Sequence, residues 1–396
     1  MFNKISNIDF KNKTVLIRCD FNVPLNDNGE ITNNKRIRAS LKTIKHVYKD
    51  ADKLILFSHL GRPKGEYNNK FSMKPVAKEL ERLLNNKVVL LEDENVISQD
   101  VKEQIEKAES KSIFLLENTR FRKEEKKNDK SFAKELASLG DVFVSDAFGV
   151  AHRAHASNVG ITEYLDSTFG FLMENEIDVL SKVIKSPEKP LIAILGGAKV
   201  SDKIGVIDNL LSKVDAILIG GGMAFTFLKA QGYEIGKSLF EEDKIDIANE
   251  LLKKAEEKKV KFILPLDVVC AKEFSNEAEA HIKELDSIEK DEMGLDIGPK
   301  SVKIFKDVLE KSKTVVWNGP MGVFEFDKFA NGTIEIAKAL ADSNAYSVVG
   351  GGDSVSAIEK FGLEDKINHI STGGGASLEL LEGKKLPGIV AIKTEE

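Results

Sequence analysis

Four arginines stand where this chain otherwise uses lysine. The sequence holds 50 lysines and eight arginines, and all eight arginines lie between Arg18 and Arg153. A guanidinium is a flat five-donor fork that grips a carboxylate or phosphate with two bonds, whereas an ammonium is a point charge. Arg36 precedes a helical pattern, and Arg62, Arg120 and Arg153 follow the ends of short apolar runs. Polar partners recur at the same places: Asp20 with Asn22, then His59, then His155. One strand-end arginine would be read as a surface ion pair; four brought to one sheet edge by topology point to a small anionic ligand. Arg38, Arg82 and Arg122 lack this placement and are read as structural, and Arg18, inside its strand, is expected to hold Asp20 or a neighbouring loop.

The remaining residues carry a different signature. Gly220-Gly221-Gly222, Gly350-Gly351-Gly352 and Gly373-Gly374-Gly375 are bare backbone, which lets amides approach phosphate closely. The stretch 195–203, LGGAKVSDK, reads as a strand end opening a helix, with Lys199 and Lys203 four apart on one face. Asp353 falls at a helix start, where it serves either as a cap or as a Mg²⁺ ligand carried with nucleotide phosphates. Two look-alikes fail. Gly232–Ser238 has one residue too few for a Walker A loop, and Phe225 stands where a dinucleotide fingerprint needs a small residue. His152 and His155 lack the further ligands that zinc requires.

These groups must be positioned by regular elements. Apolar β-branched runs at 14–19, 53–58, 87–91, 112–117 and 141–145 alternate with amphipathic helical stretches, and a second series follows at 191–195, 216–219, 261–264, 314–317, 346–349 and 388–392. Alternation of this kind implies α/β architecture, with two doubly wound parallel sheets of Rossmann-like form. A helix over 175–184 followed by Ser186-Pro187-Glu188-Lys189-Pro190 reads as a hinge. The expected organisation is an anion-binding domain at 1–172, a connecting helix and hinge at 173–190, a nucleotide-binding domain at 191–380 and a tail at 381–396. The charged run 122–130 reads as a solvated loop.

Composition limits the alternatives. A chain of 396 residues exceeds one ordinary core. No apolar run nears the ~20 residues of a membrane span, and the N-terminus has no apolar signal core. Two cysteines, Cys19 and Cys270, are read as reduced, which suggests a cytoplasmic protein. Residues 1–170 carry net charge +4 and the rest −10, so the first part suits an anion. No basic stripe with interleaved aromatics suggests nucleic acid. From the residues alone, a non-catalytic two-domain binding protein and a dinucleotide dehydrogenase stay open beside a phosphoryl-transfer enzyme.

RCDFNVP, SHLGRPKG, LLENTRF, DAFGVAHRAHAS, LGGAKVSDKI, LDIGPK, VVWNGPMGVFE, GGGDS and STGGGASLELLEGKKLPG, in this order from Arg18 to Gly388, resemble the phosphoglycerate kinase family. The resemblance implies reversible transfer of a phosphoryl group between 1,3-bisphosphoglycerate and ADP, giving 3-phosphoglycerate and ATP with Mg²⁺, by a monomer whose domains close in the course of glycolysis. It assigns the triose site to Asp20, Asn22, Arg36, His59, Arg62, Arg120 and Arg153. Nucleotide contacts fall on Lys203, Gly220, Gly221, Gly294, Leu295, Asn318, Pro320, Val323, Glu325, Gly351, Gly352, Asp353 and Ser354, with Asp353 holding Mg²⁺. The chemistry falls on Arg36, Lys199 and the Gly373 and Gly374 amides, and the tail is implied to return to the N-terminal domain. Cys19 and Thr119 stand where the family has valine, Ser145 where it has asparagine and Val150 where it has threonine; none replaces an assigned contact.

Overall fold

Strands that are apolar on both faces can be buried only between layers of helices, and the two parallel sheets of the molecule are built this way. The computed structural model describes residues 4–392. These divide into two compact units, one running to Asp178 and including the residues from Lys385, the other spanning Val179–Lys384.

The first unit holds β1 (Thr14–Cys19), β2 (Lys53–Phe57), β3 (Val89–Leu91), β4 (Ile113–Leu116), β5 (Val142–Asp146) and β6 (Asp166–Phe169). All pair in parallel, in the order β3-β4-β2-β1-β5-β6. The two-residue period sorts the side chains. Val15, Ile17, Leu54, Leu56, Val142 and Val144 join one core cluster, while Leu16, Ile55, Phe57, Phe114 and Phe143 join another. From β1 the chain passes to β2 on one side, and from β5 to β6 on the other. The carboxyl ends of β1 and β5 therefore flank a switch point, where open α/β sheets form a crevice.

The second unit repeats the plan with β7 (Leu191–Leu195), β8 (Ala216–Ile219), β9 (Lys261–Ile263), β13 (Thr314–Asn318), β14 (Tyr346–Gly350) and β15 (His369–Ile370), in the order β15-β14-β13-β7-β8-β9. Its switch point lies between β7 and β13. Trp317, fully buried, packs with Ile194, Leu218 and Val349 in its core. The expected fold class, two doubly wound parallel sheets, is the observed one.

Two expectations need correction, and one element is additional. An antiparallel sheet of β10 (Asp267–Ala271), β11 (His281–Glu284) and β12 (Met293–Ile297), in the order β11-β10-β12, was not foreseen. The strand β11 offers only Ile282 as an aliphatic residue and leaves it 62% exposed, so it carries no buried-strand pattern. The run 388–392 is not a strand: Pro387–Val390 is a short helix begun by a proline whose φ suits a first turn, and the Gly388 amide donates to the Ala151 carbonyl at 2.8 Å. Nor is 122–130 a solvated loop. Lys123–Lys126 forms a helical turn that buries Glu125 completely, and Arg122 pairs with Glu124 and Glu135 at 3.1 Å.

Candidate active site

In the first unit, the loops after β1, β2, β4 and β5 bring their charged residues together. Arg36, on the first turn of the helix Lys35–Asp50, reaches back to Asp20 with Nη1 2.5 Å from Oδ2. The other Asp20 oxygen accepts from the Asn22 amide at 3.2 Å, and Asn22 Oδ1 accepts from the Gly61 amide at 2.8 Å. The Phe21 amide donates to Ser58 Oγ at 2.8 Å. The β1 and β2 loops are thus laced into one rim.

Arg120 projects from the single turn Thr119–Phe121 after β4. Its Nη1 donates to the Gly61 carbonyl at 2.9 Å, but its Nε and Nη2 are buried with no hydrogen-bond partner. Burial, then the like charges of Arg153 and Arg18, hold its pKa down to about 10. His59 is buried too, and its pKa lies well below the usual imidazole value, first through desolvation and then through Arg18, Arg120, Arg153 and Arg36. His155 is lowered to about 3, first by desolvation and then by Arg120, Arg18, Arg153 and Lys126, although its Nδ1 lies 3.7 Å from Glu125 Oε1. Both rings are therefore neutral near pH 7. Arg62 and Arg153 stand exposed at the rim, and Arg153 Nε is 3.1 Å from His152 Nε2.

Of the two partners expected for Arg18, Asp20 or a neighbouring loop, the structure shows the loops: Arg18 is fully buried and donates to Ser157, Ser58, the Cys19 carbonyl and His59. Sequence reasoning missed the other groups that hold this cluster. Asn118 donates to the Leu60 and Phe71 carbonyls at 2.7 and 3.0 Å while its Oδ1 accepts the Arg120 amide. Glu117 accepts from Ser72 and the Met73 amide. Glu125 gave no signal, because it is one charge in a run of charges.

In the second unit, the loops after β7, β8, β13 and β14 interlock through glycine. The amides of Gly196, Gly197 and Gly221 donate to the carbonyls of Asn318, Pro320 and Met321 at 3.0, 3.1 and 2.8 Å. A Cβ on Gly319, where φ is +97°, would stand 2.2 Å from the Gly196 carbonyl oxygen. Several of the glycines expected to offer amides to phosphate are instead spent on loop-to-loop contact. Open space remains at Gly197, Gly352 and Gly374.

The helix after β7 starts at Ile204, so Lys199 and Lys203 do not share a helical face. Gly196 and Gly197 are tied to the β13 loop, which keeps the chain irregular up to Lys203. Lys199 is exposed. Lys203 turns inward, its Nζ donating to Asn318 Oδ1, and burial lowers its pKa to about 8. Asn318 Nδ2 is left buried without a partner. Ser354 Oγ, fully buried, accepts from the Gly319 amide at 2.5 Å. Asp353 lies exposed in the first turn of the helix Gly352–Lys360, and that helix has no side-chain cap at Gly351.

Gly294 and Leu295, on β12, line up beside the β13 loop: the Val323 amide donates to the Leu295 carbonyl at 2.8 Å. A side chain at Gly294 would meet the Phe225 ring at 2.1 Å, so the glycine keeps a flat apolar wall. Pro320 is buried and Glu325 exposed. The Gly373 amide donates to Ser371 Oγ at 3.1 Å, and Gly374, at φ +49°, precedes the helix Gly375–Leu381.

Among the described residues no group of three or more His, Cys, Asp or Glu could hold a metal alone. The single exposed carboxylate of Asp353 fits a cation that is held mainly by phosphate oxygens and water, the usual state of Mg²⁺ with nucleotides. No helix among the described residues is long and apolar enough to cross a membrane.

A family model described as phosphoglycerate kinase matches residues 5–384. The phosphoglycerate kinase of Clostridium botulinum (strain Loch Maree / Type A3) is 55% identical over 394 residues, covering 99% of both chains. That of Clostridium tetani (strain Massachusetts / E88) is 56% identical over 394 residues, covering 99% of this chain and 98% of the other. Among solved structures, phosphoglycerate kinase from Coxiella burnetii superposes with a TM-score of 0.90 at 44% identity, covering 99% of each chain. The enzyme from Pyrococcus horikoshii OT3 gives 0.84 at 34% identity, covering 99% and 98%. These matches set aside the binding-protein and dehydrogenase alternatives.

Proposed function

This chain belongs to the phosphoglycerate kinase family, a transferase that moves a phosphoryl group between 1,3-bisphosphoglycerate and ADP in glycolysis, and from that premise we propose which of its residues do the work. The triose acid is held in the first unit by Asp20, Asn22, Arg36, His59, Arg62, Arg120 and Arg153. The observation that carries this is the Arg120 guanidinium, buried among like charges with Nε and Nη2 unpaired. Such donors are costly to bury unless an anion completes them. The nucleotide is held in the second unit by Lys203, Gly220, Gly221, Gly294, Leu295, Asn318, Pro320, Val323, Glu325 and Gly351 through Ser354. Asp353 is the ligand for Mg²⁺, which when bound with the nucleotide neutralises phosphate charge.

The attacking group on 3-phosphoglycerate is a carboxylate, ionised at pH 7, so no general base is needed. One of its oxygens bonds to the γ-phosphorus of ATP as the bond to the β-γ bridging oxygen breaks, and ADP leaves; the reverse direction makes ATP. The protein must hold the groups in line and stabilise the three equatorial oxygens. Arg36, Lys199 and the Gly373 and Gly374 amides supply those donors, the Gly373 amide by exchanging its bond to Ser371 Oγ for one to phosphate. Because Arg36 and Lys199 belong to different units, transfer requires the units to close on both ligands and exclude water. The protein acts as a cytoplasmic monomer.

A coupled assay of ATP formed from 1,3-bisphosphoglycerate and ADP tests the assignment. Arg36→Ala is expected to lower kcat by about a hundredfold or more, the usual cost of removing a charge-stabilising donor. A near-normal rate would remove Arg36 from the chemistry.

A further inference from the structure

Behind His59 runs a line of buried hydrogen bonds that the reaction as described does not use. Glu125 accepts from the Ser157 amide at 3.0 Å and from its hydroxyl at 2.6 Å, with Thr119 Oγ1 at 3.3 Å. Ser157 Oγ lies 2.9 Å from Arg18 Nε. Arg18 Nη2 lies 3.2 Å from His59 Nδ1. Glu125, Ser157 and Arg18 are wholly buried, and His59 is 3% exposed.

We propose that Glu125, Ser157 and Arg18 are positioning residues that lock His59 into the tautomer carrying its proton on Nε2 and present that N–H to the substrate anion. Donor and acceptor roles force this polarity. A guanidinium only donates, so His59 Nδ1 must supply a lone pair and the ring proton must sit on Nε2. The Ser157 hydroxyl has one hydrogen. Arg18 cannot accept it, so it goes to Glu125 Oε1 at 2.6 Å, which turns a Ser157 lone pair toward Arg18 Nε. Every bond in the line then has one direction, and reversing any of them leaves two donors or two acceptors facing each other. Desolvation and four neighbouring arginines keep the ring neutral, so Arg18 meets a lone pair rather than a second cation. A His59 ring turned over would offer an acceptor to an anion instead of a donor. The inference rests on His59 lying in the substrate site.

Nitrogen NMR of the ¹⁵N-histidine protein reads the tautomer directly. The ligand-free parent is expected to show a neutral His59 with Nε2 protonated and Nδ1 bare. A proton on Nδ1, or an ordinary titration near pH 6.5, overturns the proposal whether or not any variant folds. Ser157→Ala, checked for a native circular dichroism spectrum, removes the acceptor that holds Arg18 Nε. Arg18 is then expected to leave His59 Nδ1 for part of the time, so that both tautomers are populated and KM for 3-phosphoglycerate rises about tenfold, the size of one lost hydrogen bond, with a smaller change in kcat. A folded Ser157→Ala protein with an unmixed tautomer and parental KM also overturns it. If 3-phosphoglycerate leaves the parent His59 resonances unmoved, the substrate-site assignment fails instead, and the proposal falls with it.

Discussion

Arg120 places a full charge where it finds one hydrogen bond to Gly61 and leaves Nε and Nη2 unsatisfied. A folded protein keeps such a residue only if something other than stability selects it. Arg120→Met keeps most of the volume and removes the unpaired donors and the repulsion from Arg153 and Arg18. The variant's first unit is expected to melt about 2–4 °C higher without ligand, the shift that 1 kcal/mol gives for a cooperative unit of about 150–250 residues. It should also bind 3-phosphoglycerate at least tenfold more weakly, since bonds to charged groups are worth ~1.5–3 kcal/mol. Calorimetry of both proteins, with and without 3-phosphoglycerate, checks both signs; a lower ligand-free melting temperature would mean that the cluster is satisfied from within.

Elements set what the loops can do, and in the second unit glycine sets how close the loops come. Gly319→Ala combines a left-handed φ with a Cβ 2.2 Å from a backbone oxygen of Gly196. It is expected to cost at least about 2 kcal/mol in urea unfolding. Gly352→Ala meets nothing within 4 Å and should leave stability unchanged; in the proposed nucleotide site its methyl group occupies ligand space and is expected to weaken ADP binding. A second element has its own titration. Asp146, at the end of β5, caps the helix Phe171–Lys185 by accepting from the Leu172 and Met173 amides at 3.0 and 3.4 Å, and burial raises its pKa to about 7. The folded state therefore binds more protons than the unfolded chain between about pH 4 and 7. That stability is present at low pH and lost as pH rises through 7. Asp146→Asn should abolish a loss on the order of 3 kcal/mol between pH 5 and 8, measured by urea unfolding at both values; parallel curves for parent and variant would refute the titration.

Under the proposed assignment each parallel sheet's crevice takes one class of ligand, and transfer between the two requires closure, which is a prediction at the scale of the whole molecule. X-ray scattering with 3-phosphoglycerate and the magnesium nucleotide together is expected to give a smaller radius of gyration than with neither. Unchanged dimensions would argue against closure. The charge pattern agrees with this division, since the net +4 of residues 1–170 accompanies the arginine cluster and the rest is net −10.

The sequence alone determined the two parallel sheets, because a strand buried between helices must be apolar on both faces and such runs are visible without partners. It also located Asp20, His59, Arg120 and Asp353, because residues at strand ends take their place from topology. Tertiary structure decided what depends on neighbours distant in the chain. That Glu125 sinks beneath Ser157 while the charges beside it stay in water is a matter of packing, not of local pattern. That Gly196, Gly221 and Gly319 serve one another is decided by three loops meeting. The β10–β12 sheet was hidden for the same reason, since pairing lets the polar, half-exposed β11 be a strand. Periodicity records which face of an element is dry; only the assembled fold says which polar atoms find a partner there and which are left waiting for a ligand.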